Sequence, residues 1–219
     1  MITQEQLFAI LEGTKTTLTI ASVSIIGGIL LGIVIALFKI SRNPVLHGVS
    51  WFYVWVFRGT PMLMQLFVFY YALPIFTQDV FNITLRLPGL TAPFLAFTLN
   101  SAAYLSEIIR GAIQSIDKGQ MEAAKALGMS YYQAMFKIII PQSYRRLIPP
   151  VGNELITLIK DTSLVASISM FDLLRTVTSM NNASGKWHYF IYAAVIYLIL
   201  TSLIQVVFDR LEKKYSVYE

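Results

Sequence analysis

The sequence lacks cysteine altogether, which excludes a disulfide framework and any thiolate metal site. Its only two histidines, His47 and His188, lie far apart and without a carboxylate cluster, so we expect no metal centre. There is no G-x-x-x-x-G-K-[ST] segment, so the chain is not expected to bind ATP through a P-loop of its own. A G-x-S-x-G segment, the mark of one large class of hydrolases, is also missing.

Charge is scarce as well. Only 13% of the 219 residues are charged, against about 25% in ordinary soluble domains. Hydrophobic residues make up 56%, and the mean hydropathy is +0.62. This composition predicts an all-α membrane protein in which residues 1–219 form one transmembrane domain. A helix needs about 20 apolar residues to cross the bilayer core, and five stretches qualify approximately: 18–38, 60–76, 93–112, 147–170 and 188–208.

The basic residues predict the orientation of these five spans. Most of them fall in three segments, around residues 39–42, 110–146 and 210–214, whereas few flank the other ends of the spans. Basic residues accumulate on the cytoplasmic side of a membrane, so we expect the N-terminus outside and the C-terminus inside. The net charge of +5 is then explained by the bilayer, without a nucleic-acid partner.

Several local patterns refine this picture. Gly28 and Gly32 are spaced so that two helices could approach closely, although glycine is also common in membrane helices for other reasons. The aromatic segment Trp51 to Phe57 suits an interfacial helix or the foot of the second span. Residues 79–88 and 171–186 are polar and are predicted to be loops.

The segment 117–141 has the signals of two short helices in the cytoplasm. Asp117 with Gln120, and Ser130 with Gln133, resemble capping boxes. Gly128 is placed to end the first helix in a left-handed conformation, and Pro141 is predicted to stop the second. An apolar stripe follows the helical spacing, consisting of Met121, Ala124, Leu127 and Tyr131. An ordinary interfacial helix pair would explain the same pattern.

Charged residues inside the predicted spans form two groups. Glu107 and Arg110 are three residues apart, so they can pair on one helical face. In the fourth span, Glu154, Thr157 and Asp161 share a face, with Lys160 beside them. Charges at membrane depth usually face a cavity or a partner, but polarity that only serves helix packing is the alternative explanation.

The most specific pattern is Glu122-Ala-Ala-Lys-Ala-Leu-Gly128, followed by Ile138-Ile-Ile-Pro141. It resembles the EAA loop of ABC importer permeases, with Ile140 in the place of the usual leucine. Other segments resemble the polar amino acid uptake branch of that family, and the likeness extends from about residue 10 to 212. They are Phe57-Arg-Gly-Thr-Pro61 with Gln65, Asn100-Ser-Ala-Ala-Tyr104 with Glu107-Ile-Ile-Arg110, and Gly152-Asn-Glu154 with Lys160-Asp-Thr-Ser-Leu164.

The resemblance implies a type I ABC importer permease: a multi-pass transport subunit of a bacterial cytoplasmic membrane that is not itself an enzyme. The EAA segment would be a coupling helix docked on an ATP-binding subunit, with Glu122, Ala123, Ala124 and Gly128 at the contact and turn positions. Asn100, Glu154, Lys160 and Asp161 match positions of the substrate cavity.

The resemblance also implies the partners. A pair of ATP-binding subunits would hold ATP and Mg²⁺, an extracytoplasmic substrate-binding protein would deliver the ligand, and a second permease, identical or merely similar, would complete the pathway. A polar amino acid is expected as substrate, with neutral and cationic ones both open. The main alternative is an ion- or proton-coupled carrier of small polar solutes. A small intramembrane enzyme is the other, although no nucleophile and base are evident.

Overall fold

The computed structural model describes residues 2–215, and every regular element in that range is a helix. The expected all-α architecture is therefore confirmed. The ten α-helices are α1 (Gln4–Ile40), α2 (Pro44–Gly59), α3 (Met62–Phe67), α4 (Leu73–Phe81), α5 (Thr91–Gln114), α6 (Lys118–Ala126), α7 (Tyr131–Ala134), α8 (Ile140–Asp161), α9 (Leu173–Ser184) and α10 (His188–Tyr215). Wider π-helical turns join α3 to α4 and α7 to α8, and a 3₁₀ helix, Thr162–Ile168, continues α8.

Helices α1 and α5 pack against each other most extensively, and the glycines of α1 make this possible. A Cβ atom on Gly28 would lie 2.9 Å from the Ser101 Cβ atom, and one on Gly32 would lie 3.1 Å from the Leu105 Cβ atom. The close approach predicted from the spacing of these two glycines is confirmed. The main core forms around this contact, with α3, α8 and the 3₁₀ helix adding buried side chains such as Leu66, Leu158 and Val165.

A sharp bend separates α2 from α3 and α4. The two arms meet at 104°, and the break falls at Thr60-Pro61, where Thr60 is extended and Pro61 precedes the first turn of α3. Proline disfavours the helical conformation in the residue before it, which explains why α2 ends here. The aromatic segment Trp51 to Phe57 lies within α2.

By length and hydropathy alone, α1 and α10 can each cross a membrane, and the bent pair of α2 with α3 and α4 would be a third crossing. Helices α5 and α8 are long enough, but their polar and charged residues lower the mean hydropathy. Helix α1 itself begins well before residue 18, at the capping box of Thr3 and Gln6.

Two expectations about local structure are wrong. Residues 171–186, predicted to be a loop, contain the helix α9. Its polar composition disguises an amphipathic helix that buries Leu173 and Val177. Pro141 does not stop a helix, because it lies in the first turn of α8, where a proline needs no N–H group. The predicted loop 79–88 is confirmed only from Asn82, since α4 extends to Phe81.

The N-terminus of α9 is buried against α1. The Asp172 side chain caps α9 by accepting a hydrogen bond from the Arg175 N–H group (2.8 Å), and the Leu173 N–H group donates to the Thr17 hydroxyl (3.3 Å). A Cβ atom on Gly13 would lie 2.6 Å from the Thr176 hydroxyl oxygen. The absence of a side chain at residue 13 therefore lets α9 dock on α1.

Candidate functional site: a coupling segment and the acidic residues of helix α8

The coupling segment, which we define as residues 117–141, starts with a capped helix. The Asp117 carboxylate accepts a hydrogen bond from the Gly119 N–H group at 2.6 Å, as the sequence predicts. The expected reciprocal bond from Gln120 is not formed. The Gln120 side chain instead accepts a hydrogen bond from the Gln142 amide at 3.2 Å. Helix α6 is therefore capped at its start and connected to the first turn of α8.

Gly128 forms the turn that ends α6. Its φ angle is +79°, a left-handed conformation that glycine adopts without strain. The Gly128 N–H group donates to the Lys125 carbonyl (2.9 Å), and the Met129 N–H group donates to the Ala124 carbonyl (3.0 Å). This pair of bonds is a Schellman motif. Both reciprocal bonds between Ser130 and Gln133 are present, so the second predicted capping box is confirmed.

The coupling segment exposes large apolar side chains. Leu127 is 84% exposed and Tyr132 is 73% exposed, and Phe136 is also exposed. Glu122 and Ala123 are exposed beside them, whereas Ala124 is buried against its own chain. The predicted apolar stripe therefore divides: Ala124 packs inward, and Leu127 and Tyr131 point away from the chain.

Polar bonds connect the coupling segment and its flanks to the long helices. Besides the bond between Gln120 and Gln142, the Arg146 guanidinium on α8 donates to the Ser115 carbonyl at the end of α5. Helix α8 continues from these contacts to Glu154 and Asp161. A displacement of α6 would therefore act directly on the helix that carries the two acidic residues.

Glu107 is the centre of an ion cluster. Its carboxylate pairs with the Arg110 guanidinium at 2.7 Å, which confirms the pair expected from their spacing, and it also pairs with the Lys39 ammonium group. Lys39 lies in the last turn of α1. The sequence did not identify this third member, because residues 39 and 107 are brought together only by the packing of α1 on α5.

Glu154 on α8 faces α5. Its carboxylate accepts a hydrogen bond of 2.6 Å from the Ser101 hydroxyl. Two residues before it, Gly152 lets α10 approach α8, since a Cβ atom there would lie 2.6 Å from the Phe208 ring. Asp161 ends α8, and Lys160 beside it is exposed. Among residues 2–215, no carboxylate lies within ion-pair distance of Lys160.

Asn100 lies next to Ser101 in the chain but contacts a different helix. Its amide donates to the Gln65 side-chain carbonyl (3.0 Å) and to the Phe57 carbonyl (3.2 Å). The Gln65 amide in turn donates to the Phe57 carbonyl (2.8 Å) and to the Thr60 hydroxyl (2.8 Å). Asn100 and Gln65 thus satisfy the carbonyl groups that the break between α2 and α3 leaves unpaired.

The structure therefore separates the predicted site residues into groups. Glu122, Ala123 and Gly128 share the exposed side or the turn of the coupling segment. Glu154 is bonded to Ser101 of α5, Lys160 and Asp161 lie at the far end of α8, and Asn100 belongs to the helix break. Ser101 and Gln65 were missed as partners, although both stand in the segments Asn100-Ser-Ala-Ala-Tyr104 and Phe57-Arg-Gly-Thr-Pro61 with Gln65. Residues 2–215 contain no cluster of potential metal ligands.

Comparison with known proteins agrees with these features. Residues 28–217 match the family described as "binding-protein-dependent transport system inner membrane component". A putative glutamine transport system permease protein, GlnP, of Rickettsia typhi is 37% identical, over 95% of this chain and 93% of the relative. The arginine transport system permease protein ArtQ of Bacillus subtilis is 39% identical, over 94% of this chain and 91% of the relative.

Solved structures give the same result. An amino acid ABC transporter crystallised with histidines contains a chain with a TM-score of 0.88 and 33% identity, and the match covers 96% of this chain and 95% of that one. The methionine ABC transporter MetNI in an inward-facing conformation matches with a TM-score of 0.80 at 22% identity, over 98% and 99% of the two chains, which shows a shared fold. The resemblance inferred from the EAA loop and the flanking motifs is confirmed, and the chain belongs to the family of binding-protein-dependent transport system inner membrane components, the permease subunits of ABC importers.

Proposed function

We propose that this permease takes up polar amino acids by alternating access, in a multi-pass complex with two ATP-binding subunits, a substrate-binding protein and a second permease. The relatives named for glutamine and arginine transport support the substrate class. The observation that carries the proposal is the continuous connection from the exposed coupling segment, through Gln142 and Arg146, to Glu154 on α8. Movement driven by ATP would reach the acidic residues of α8 through this connection.

The chain would cross the membrane five times with its N-terminus outside, as the distribution of basic residues favours. The crossings would be α1, the bent pair of α2 with α3 and α4, α5, α8 and α10. Charged residues in α5 and α8 are then tolerated because they pair with one another or face a cavity. Only 6% of the most apolar stretch of α10 is buried within this chain. Lipid or the second permease would cover the rest.

The coupling segment would dock on an ATP-binding subunit through its exposed residues. Glu122 would pair with a basic group of that subunit, while Leu127 and Tyr132 would enter an apolar groove. Ala123 would keep the contact surface shallow. Ala124 would contribute indirectly, because it packs α6 onto the rest of the chain. ATP and Mg²⁺ would be held by the partner.

The acidic residues of α8 would receive the amino acid. Glu154 and Asp161 lie two helical turns apart, about 10 Å along the axis, and either carboxylate could meet an ammonium group. Lys160 was expected to attract the ligand carboxylate, and its exposed ammonium group is available for that. Asn100 holds the helix break, and it would reach the ligand only by exchanging its present hydrogen bonds.

Removing one charge at a time would test this site. Glu154→Gln and Asp161→Asn keep the shape of each side chain, and each should lower uptake severalfold or more, since truncating a buried charge contact typically costs about 2–5 kcal/mol. The matched controls are Glu12→Gln and Asp79→Asn, at exposed positions away from α8. The ATP-binding subunit should co-purify equally with all four variants. Unchanged uptake by both α8 variants would assign ligand recognition to other residues.

A further inference from the structure

A pocket of about 400 Å³ lies between α2, the last turn of α1 and the second half of α5, and its lining includes Lys39, Trp51, Trp55, Arg58 and Tyr104. The Arg58 guanidinium carbon lies 5.1 Å from the centre of the Tyr104 ring, a distance typical of a cation–π contact. The rings of Trp51 and Trp55 stack in parallel, with their centres 6.1 Å apart. The pocket thus combines two basic groups with flat apolar surfaces.

The basic groups around this pocket outnumber the acidic ones. Glu107 pairs with both the Lys39 ammonium group and the Arg110 guanidinium, so two cations share one carboxylate. Arg58 is exposed and has no carboxylate within ion-pair distance among residues 2–215. Arginine stays charged in proteins. These four residues therefore leave two positive charges in excess, and the pocket attracts an anion.

Arg58 extends along α5 toward the end of that helix. The Phe57 carbonyl, next to Arg58 in the chain, accepts a hydrogen bond from Asn100, so the backbone of α2 lies at the level of Asn100 there. The Arg58 guanidinium lies at Tyr104, one helical turn closer to the C-terminal end of α5. In the proposed topology that end is cytoplasmic. The side chain thus carries its charge toward the membrane surface, as long basic side chains do near the ends of membrane helices.

The ion cluster of Glu107 indicates where the inner membrane surface lies. Lys39 stands in the last turn of α1, and Glu107 and Arg110 stand near the end of α5. Charged groups are costly inside hydrocarbon, so we place this cluster at the cytoplasmic boundary of the bilayer. Tyr104 is three residues, about 4.5 Å, from Glu107 along the helix, and Arg58 lies against it. Both cations of the pocket are therefore within reach of lipid headgroups in the cytoplasmic leaflet.

The aromatic side chains of α2 extend this basic pocket into an apolar surface. Trp51, Phe52 and Trp55 are each more than half exposed. Tryptophan is enriched at the headgroup level of membranes, where its ring meets both apolar and polar surroundings. A ligand that fits the whole surface carries a negative charge at one end and an apolar chain at the other. An anionic phospholipid has this chemistry, whereas a free phosphate ion would use only the basic groups.

We propose that this pocket binds the phosphate of an anionic phospholipid from the cytoplasmic leaflet. Arg58 and Lys39 contact the phosphate, Tyr104 holds the guanidinium in place, and an acyl chain lies along Trp51 and Trp55. Basic pockets between membrane helices on the cytoplasmic side are known to bind such headgroups. The inference rests on the membrane orientation given under the proposed function, and it is independent of the transported substrate.

Fluorescence quenching by brominated lipids tests the site, because a brominated acyl chain quenches only those tryptophans that it contacts. The permease has three tryptophans, and Trp187→Phe leaves Trp51 and Trp55 as its only ones. This parent protein, purified with its ATP-binding subunits, is placed in phosphatidylcholine nanodiscs that contain either brominated phosphatidylcholine or brominated phosphatidylglycerol. The parent should favour phosphatidylglycerol by roughly fivefold or more, the usual effect of one basic residue near anionic lipid.

Variants of Arg58 then identify the group that causes the preference. Arg58→Gln should remove most of it, whereas Arg58→Lys should keep most of it, because an ammonium group also binds a phosphate. The matched control is Arg86→Gln, in an exposed loop, which should keep the preference of the parent. Inorganic phosphate, added in place of chloride at constant ionic strength, should not change the preference.

The other results overturn the proposal. Equal quenching by both lipids in the parent would show that the pocket does not select an anionic headgroup, and an unchanged preference in Arg58→Gln would show that Arg58 does not bind it. Displacement by inorganic phosphate would identify a site for a free anion. Separation of the two permease chains in Arg58→Gln would identify an acidic residue of the second permease as the partner of Arg58. All these readings are made without transport, so they are distinct from a failure of amino acid uptake, which would refute the proposed function alone.

Discussion

Individual residues determine two of the places where the backbone leaves regular helical geometry. At the end of α6, Gly128 supplies a left-handed turn, and the bonds from its own N–H group and that of Met129 complete the helix end. At the break between α2 and α3, the side chains of Gln65 and Asn100 replace the missing backbone bonds. The turn therefore depends on Gly128, and the break depends on Gln65 and Asn100 together.

Gly128→Val is expected to abolish transport while the chain still inserts into the membrane. A left-handed conformation costs an ordinary residue about 1–2 kcal/mol, and more for a β-branched one, so the turn would shift and displace the exposed surface of α6. Uptake and co-purification of the ATP-binding subunit measure the effect. The matched control is Gly111→Val, in a helix where an added Cβ atom meets nothing within 4 Å. Full activity of Gly128→Val would show that this turn is not needed for coupling.

Gln65→Leu is expected to destabilise the protein more than it alters ligand recognition. The substitution leaves the Asn100 amide as the side-chain donor to the Phe57 carbonyl. It also removes the two bonds that the Gln65 amide donates to Thr60, one to the carbonyl and one to the hydroxyl. Each buried polar group left without a partner costs about 1–3 kcal/mol. Thermal unfolding of the purified complex should reveal this loss, and Asn100→Ala should behave in the same way. If Asn100→Ala instead keeps its stability and loses ligand affinity, Asn100 is a binding residue as first expected.

Most of the structure that the sequence does not reveal lies in helices that come into contact only when the chain folds. Helix α9 is stabilised by Asp172, which caps its start, and by Gly13 of α1, whose missing side chain leaves room for it. Residues 13 and 172 are separated by most of the chain. Burial raises the pKa of the Asp172 carboxyl above its usual range. The folded protein therefore binds this proton more tightly than the unfolded chain does, so the charged form of Asp172 lowers stability at neutral pH relative to a neutral side chain.

Asp172→Asn should consequently be as stable as the wild type or more stable, because asparagine keeps the acceptor for the Arg175 N–H group and carries no charge. Asp172→Ala should lose about 1 kcal/mol, the usual value of an N-cap. Thermal unfolding of both variants at neutral pH distinguishes the two effects. A lower stability for Asp172→Asn than for Asp172→Ala would contradict this account of the α9 cap.

Short sequence patterns correctly predicted those features that depend only on residues close together in the chain. The glycine pair of α1, the Gly128 turn and the Ser130 capping box follow from short stretches of sequence, and so does the pair of Glu107 with Arg110. Pro141 and residues 171–186 were misinterpreted, because a proline can begin a helix as well as end one and a polar amphipathic helix resembles a loop. The third ion at Glu107, the bond of Ser101 to Glu154 and the role of Asn100 depend on packing between distant segments. The periodic pattern of apolar residues along the sequence gives no information about such contacts.

At the scale of the whole molecule, the exposed coupling segment leads directly into α8, the helix that carries Glu154 and Asp161. The absence of cysteine makes the orientation easy to measure. Single cysteines placed at Ser130 and Ser184 should label differently in intact cells: an impermeant thiol reagent should reach residue 184 and fail to reach residue 130. Labelling at residue 130 before lysis would reverse the proposed topology.

The central claim is that this chain couples ATP hydrolysis in a partner to amino acid uptake. The most direct measurement is uptake of a labelled polar amino acid by proteoliposomes that contain the permease and its ATP-binding subunits. ATP is supplied on the coupling-segment side, and substrate-binding protein is supplied on the other. The account predicts accumulation that requires both ATP and the binding protein and that is lost with Gly128→Val. Accumulation driven by an ion gradient, with neither ATP nor binding protein present, would contradict it.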